Sequence, residues 1–143
     1  VCDDEDVAAF AKQCSATVIW TPALGLSGAV QAGVDQLAES GFSIVTVAHG
    51  DLPLAAELFA CGRDEDEGGL EEVALVPDRR LDGTNVITVP TRRGFRFAYG
   101  PSSFSRHCAE ADRLGLRRRV IHDFRLATDV DLPDDLSLVR ART

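Results

Sequence analysis

Asp82-Gly83-Thr84-Asn85, a β run from Val86 to Val89, then Phe95-Arg96-Phe97-Ala98-Tyr99-Gly100-Pro101-Ser102-Ser103-Phe104 and Arg106-His107 make up the stretch around which the rest of the chain is organised. Glycine and hydroxyl residues punctuate it twice, each time at the end of a predicted strand. Tyr99 to Ser103 reads as a strand running into a helix start. Backbone N–H groups at a helix N-terminus, with serine and threonine hydroxyls beside them, make a seat for a phosphate or carboxylate.

Outward from this stretch, strands and helices alternate. Val1-Cys2 reads as the tail of a strand. Asp3-Asp4-Glu5-Asp6 opens a helix, since acids favour a helix N-terminus, and Val7, Phe10, Ala11 and Cys14 give it an apolar face. Thr17 to Trp20 is a short β run, followed by a loop with Pro22 and Gly25. Ser27 stands where it can cap the next helix, whose stripe is Val30, Val34 and Leu37 and whose stop is Ser40-Gly41. Ser43 to Ala48 is almost wholly apolar or β-branched, as expected of a parallel strand covered on both faces. It ends in His49-Gly50-Asp51-Leu52-Pro53. A short helix from Leu54 to about Cys61 and an exposed acidic loop from Gly62 to Glu72 come next.

Val73 to Pro77 is predicted to be a buried strand, Val86 to Val89 another, and Phe95 to Tyr99 a third with one face buried. A helix carries Phe104, Cys108, Ala111 and Leu114 and stops at Gly115. Arg119 to His122 is a short β stretch, Leu126 to Asp131 a last strand ending in acids, and Leu132 to Leu136 the opening of a terminal helix before a frayed tail from Arg140. The expectation is one α/β domain over residues 1–143 with a mixed, mostly parallel sheet.

Composition narrows the function classes. A net charge of −8 argues against a general nucleic-acid binder, and any site for an anion must be locally cationic through metal, arginine or helix dipole. No apolar run approaches membrane-span length and no signal peptide is read at the start. The four cysteines show no Cys-x-x-Cys pairing or zinc spacing, so reduced thiols in a cytoplasmic protein are expected. Lys12 is the only lysine, and the arginine-rich bias gives Arg117-Arg118-Arg119 the reading of a solvated face.

Two acidic spots end strands far apart in sequence: Asp51, and the pair Asp129 and Asp131. Carboxylates two apart on an extended chain project to the same side. With Asp51 from another strand they have the chemistry to hold Mg²⁺, which suits phosphoryl or nucleotidyl transfer. Plainer readings stand beside these. Asp51 before Leu-Pro is also an ordinary turn residue, Asp131 a helix cap, Asp134 and Asp135 first-turn acids, Thr84 a turn hydroxyl and Ser103 a capping residue. His107 shares a helix face with Phe104 and Ala111, as a packed histidine would, and Arg106 is the best candidate for an anion contact.

Four motifs in order, at similar spacing, resemble the 2-phospho-L-lactate guanylyltransferase family, whose actinobacterial branch uses phosphoenolpyruvate. They are Gly50 to Leu54, Asp82 to Asn85, Phe97 to Phe104 with His107, and Thr128 to Leu136. The resemblance implies a three-layer nucleotidyltransferase fold of the glycosyltransferase-A-like kind. It implies transfer of GMP from GTP to phosphoenolpyruvate or 2-phospho-L-lactate in coenzyme F420 biosynthesis, with pyrophosphate released. It implies Asp51, Asp129 and Asp131 as Mg²⁺ ligands, Thr84, Gly100 and Ser103 as the phospho-acid seat, and Gly25, Leu26 and Ser27 near the guanine. Ser27 replaces an asparagine usual in the family. No catalytic side chain is implied, because the attacking group is already a phosphate anion. Neither nucleic acid nor membrane is an expected partner, and a homodimer is left open. The family's opening strand, Lys/Arg-containing loop, helix and second strand are missing from this sequence, so an apolar sheet edge and weak GTP binding are expected. The alternatives are a non-catalytic phospho-acid-binding relative and a nucleotidyltransferase with another acceptor.

Overall fold

A computed structural model describes residues 1–55 and 71–130. The expected helix after Leu54 falls outside these residues from its third position on, as do most of the acidic loop, Asp131 and the terminal helix and tail.

Among the described residues four strands form one sheet: β1 (Ile44–Ala48), β2 (Glu72–Pro77), β3 (Thr84–Pro90) and β4 (Arg117–Val120), in the order β1-β3-β2-β4. β3 runs antiparallel to both β1 and β2, while β4 is parallel to β2. Three strands therefore share a direction and β3 alone opposes them. The sheet is mixed as expected, but because β3 sits inside it, two of the three pairings are antiparallel, against the mostly parallel sheet expected. The cause is the short connection from Pro77 to Thr84. It is too short for a crossover and long enough only for a reversal.

Helix α2 (Gly25–Glu39) and α3 (Ser103–Arg113) cover one face. Val30 and Val34 from α2, and Cys108 and Ala111 from α3, pack on Val45, Val73, Leu75, Ile87 and Val89. The opposite face carries a smaller cluster of Val76, Val86, Leu52 and Leu126, the last from the short helix α4 (Phe124–Ala127). Val73 and Leu75 face α2 and α3 while Val76 faces α4, the two-residue period of a strand. Both faces are thus covered around the two central strands, which are buried along their whole length. On β4 the three arginines are paired: Arg117 and Arg119 with Glu72, and Arg118 with Asp112.

Helix α1 (Glu5–Gln13) is capped by Asp4, whose carboxylate accepts from Val7 N–H at 2.9 Å. Its expected apolar face is not buried: Val7 and Phe10 are 53% and 66% exposed, and Ala8 alone is buried. The expected β run from Thr17 to Trp20 reduces to one bridge, Trp20 with Cys2. β1 ends the sheet, and beside it lies a mostly apolar cleft of about 530 Å³ between Val1, Thr17 and Ile19 and the residues of β1.

Two further strands are absent among the described residues. Phe95 to Tyr99 keeps the expected alternation, with Phe95 and Phe97 buried and Arg96 exposed, but pairs with no strand. Its N–H groups go to side chains instead: Arg96 to Glu110 at 2.9 Å, Ala98 to His107 at 3.0 Å and Tyr99 to Ser27 at 2.9 Å. Leu126 to Ala127 is the end of α4 rather than a strand, because the Asp123 carboxylate accepts from Arg125 N–H at 2.8 Å and caps a helical turn. Cys2, Cys14 and Cys108 are free thiols, and Cys61 lies outside the described residues. Among the described residues no helix is long and apolar enough to cross a membrane.

Candidate active site

The site is organised by the first two residues of β3. A bulge falls where β2 ends: Val76 pairs with Val86, but Pro77 pairs with Thr84, so Asn85 is the extra residue. By strict alternation Asn85 would face the α3 side with Ile87, and Thr84 the α4 side with Val86. The bulge reverses this. The Asn85 amide donates to the Leu126 carbonyl at 3.1 Å on the α4 side, and the Thr84 hydroxyl lies 3.0 Å from His107 Nδ1 on α3.

On the α3 side, Thr84, Ser103 and His107 form a fully buried polar group. Thr84 N–H donates to Ser103 Oγ at 3.0 Å, and Ala98 N–H donates to His107 Nε2. Burial first, and then the neighbouring Arg106 charge, lower the His107 pKa from its ordinary 6.5 to about 4, so the ring is neutral near pH 7. Burial also pushes the Tyr99 phenol up. Tyr99 stands edge-on to His107 with centroids 4.9 Å apart, and packs against His49 at 5.3 Å. Gly100 has φ +102, and its backbone lies close to the Arg106 guanidinium, which donates to the Tyr99 carbonyl at 3.0 Å. Arg106 thus brings positive charge to this loop, as an anion site in an acidic chain requires.

The start of α3 is laced to the turn before β3. Asp78 Oδ1 accepts from the N–H groups of Arg80 and Asp82, both at 2.9 Å, and Gly83 fits because a Cβ there would stand 3.0 Å from Asp78 Oδ2. This presents the Asp82 carboxylate to Ser102, whose N–H and hydroxyl both donate to it at 3.1 Å, while Phe104 N–H donates to the Asp82 carbonyl. Part of the anion-binding capacity expected at this helix start is therefore taken by the chain's own Asp82. Ser103 does not cap the helix; its hydroxyl serves Thr84.

On the α4 side, Val130 N–H donates to the Asp51 carbonyl at 3.3 Å, which sets the residue after Asp129 against Asp51. Asn85 ties the two segments from beneath, since its carbonyl accepts from His49 N–H while its side chain holds Leu126. Leu52 and Leu126 share the small apolar cluster. Asp51 is exposed and Asp129 half-buried, so two of the three expected carboxylate positions come from neighbouring segments; Asp131 lies outside the described residues. Among the described residues no three acidic, histidine or cysteine side chains form a metal-holding group. The donors present are carboxylate oxygens, the hard ligands Mg²⁺ takes, one or two at a time.

Gly25 and Leu26 open α2 with no side-chain cap, and Ser27 lies inside the first turn rather than capping it. Its hydroxyl accepts the Tyr99 N–H, so the stretch expected near guanine is fastened to the loop that carries Gly100.

A protein-family model described as "Guanylyl transferase CofC like" matches residues 1–140. The chain belongs to this family. A phosphoenolpyruvate guanylyltransferase of Sphaerobacter thermophilus is 33% identical over 138 residues, covering 95% of this chain and 65% of that protein. A 2-phospho-L-lactate guanylyltransferase of Halorubrum lacusprofundi is 41% identical over 118 residues, covering 78% and 51%. A phosphoenolpyruvate guanylyltransferase of Rubrobacter xylanophilus is 29% identical over 141 residues, covering 99% and 69%. The chain thus spans about half to two thirds of the length of these guanylyltransferases.

Proposed function

We propose that this chain serves guanylyl transfer to a small phosphorylated acid, phosphoenolpyruvate or 2-phospho-L-lactate. A phosphate oxygen of the acid attacks the α-phosphorus of GTP, the bond from that phosphorus to the β-phosphate oxygen breaks, and pyrophosphate leaves. With phosphoenolpyruvate the product is enolpyruvoyl-2-diphospho-5'-guanosine, on the route to coenzyme F420. The attacking oxygen carries negative charge already, so the residues bind and orient rather than move a proton.

In this reading Thr84, Gly100 and Ser103 hold the phospho-acid, and Arg106 adds positive charge beside them. Gly25, Leu26 and Ser27 border the nucleotide. Asp51 and Asp129, with Asp131, would hold Mg²⁺, which when bound neutralises phosphate charge. The observation that carries the reading is the β3 bulge, which turns Thr84 to the hydroxyl seat and Asn85 to the carboxylate segments from adjacent positions. The free thiols fit a cytoplasmic setting.

The test is pyrophosphate release from GTP with each acceptor in turn, in Mg²⁺ and in excess chelator. The reading expects release with at least one acceptor, loss of it in chelator, and its abolition by Asp51→Ala. Failure of both acceptors to bind or react would refute it.

A further inference from the structure

His107 gives the seat a polarity. Its ring is fully buried among Phe95, Phe97 and Tyr99, with centroids 5.9, 6.2 and 4.9 Å away. Nε2 lies 3.0 Å from Ala98 N–H, a group that only donates, so Nε2 is the bare nitrogen and accepts. In a neutral ring the proton then sits on Nδ1, and Nδ1–H donates to Thr84 Oγ1 at 3.0 Å. A hydroxyl that accepts in this way keeps its own proton for another partner. Ser103 is set the same way, because its Oγ accepts from Thr84 N–H and its O–H is left to donate.

We propose that His107 is a positioning residue for the phospho-acid: through its Nδ1–H it orients the Thr84 hydroxyl, beside that of Ser103, so that its O–H is free to donate toward the ligand. A seat that offers two free O–H donors favours an ionised phosphate or carboxylate, which only accepts. This rests on the function proposed above. The charged and titratable groups around the ring are Arg106 and Glu110 on its own helix, His49 at the end of β1, and the Tyr99 phenol on the facing segment. An imidazolium would set an Nε2–H donor against the Ala98 N–H donor, so the geometry itself disfavours charging.

The test compares the full chain with His107→Asn and His107→Gln. The asparagine amide reaches the Nδ1 position and keeps a donor for Thr84; the glutamine amide reaches Nε2 and keeps an acceptor for Ala98. Each variant loses one hydrogen bond, so thermal unfolding should fall similarly in both. Calorimetric titration with phosphoenolpyruvate and Mg²⁺ should show binding weakened roughly tenfold to a hundredfold in His107→Gln, the range for a hydrogen bond to a charged group, and by less than about threefold in His107→Asn. Equal weakening in both, or none in His107→Gln, overturns the positioning role. No binding by the unmutated chain overturns the proposed function along with it. A ¹⁵N spectrum of the imidazoles of the unmutated chain adds a test independent of any variant's folding: His107 should be protonated on Nδ1 alone, and an Nε2–H tautomer overturns the inference.

Discussion

Thr84 and Asn85 are neighbours in sequence, yet they serve opposite sides of the sheet. Thr84 was legible as a candidate from the Gly-Thr punctuation beside a strand, and Ser103 from its place at a helix start. Asn85 was not, because a two-residue period assigns it to the wrong face and nothing in the sequence announces the bulge that corrects it. Its buried amide makes a clear prediction. Asn85→Ala removes the donor to the Leu126 carbonyl. Leaving that carbonyl unpaired should cost about 1–3 kcal/mol in denaturant unfolding, and Mg²⁺-dependent phospho-acid binding should weaken as the segments beside Asp51 loosen.

His107 supplies the pH dependence at this scale. Its pKa falls from 6.5 to about 4 on folding, so between those values the unfolded chain binds the extra proton. Stability from this group is complete above the unfolded value and is lost as pH falls through the window toward 4. Denaturant unfolding at about pH 7 and about pH 5 should show that loss in the unmutated chain and a shallower one in His107→Asn.

Among the elements, Phe95 to Tyr99 is instructive. The alternation of aromatics correctly gave its buried face, since burial follows side-chain period. It did not give a strand, since a strand also needs a neighbour for its N–H groups, and here Glu110, His107 and Ser27 take that place. Ser27 was read as a helix cap from local sequence alone; its actual partner, Tyr99, is 72 residues away. Ser27→Ala should therefore lower stability by about 1 kcal/mol in denaturant unfolding, as one lost hydrogen bond to backbone does. The start of α3 carries a parallel expectation. Asp82→Ala removes the acceptor for both Ser102 groups and should cost about 1 kcal/mol in thermal unfolding, as loss of a helix-terminal carboxylate does.

At the scale of the molecule, the alternation of strands and helices was enough to give a single α/β domain with a mixed sheet. Strand direction was harder. Buried apolar runs such as Val73 to Pro77 look alike in parallel and antiparallel sheets, and only the short link to Thr84 betrays the reversed β3. The outer surface of α1 was misread because periodicity gives an apolar stripe without saying whether anything lies opposite it. Asp51 and Asp129 were picked out as acids closing separate strands, yet Asp129 follows α4 rather than a strand. That their two segments lie side by side is a property of the assembled fold, expressed in the backbone bond from Val130 to Asp51.

The proposed metal role of Asp51 is most directly tested by titrating phosphoenolpyruvate into the full chain with and without Mg²⁺, beside Asp51→Asn. Asp51 is exposed, so the variant should unfold at an unchanged temperature. Binding that requires Mg²⁺ in the unmutated chain and is lost in Asp51→Asn is the predicted result; binding indifferent to Mg²⁺, or unaltered by Asp51→Asn, would contradict the account.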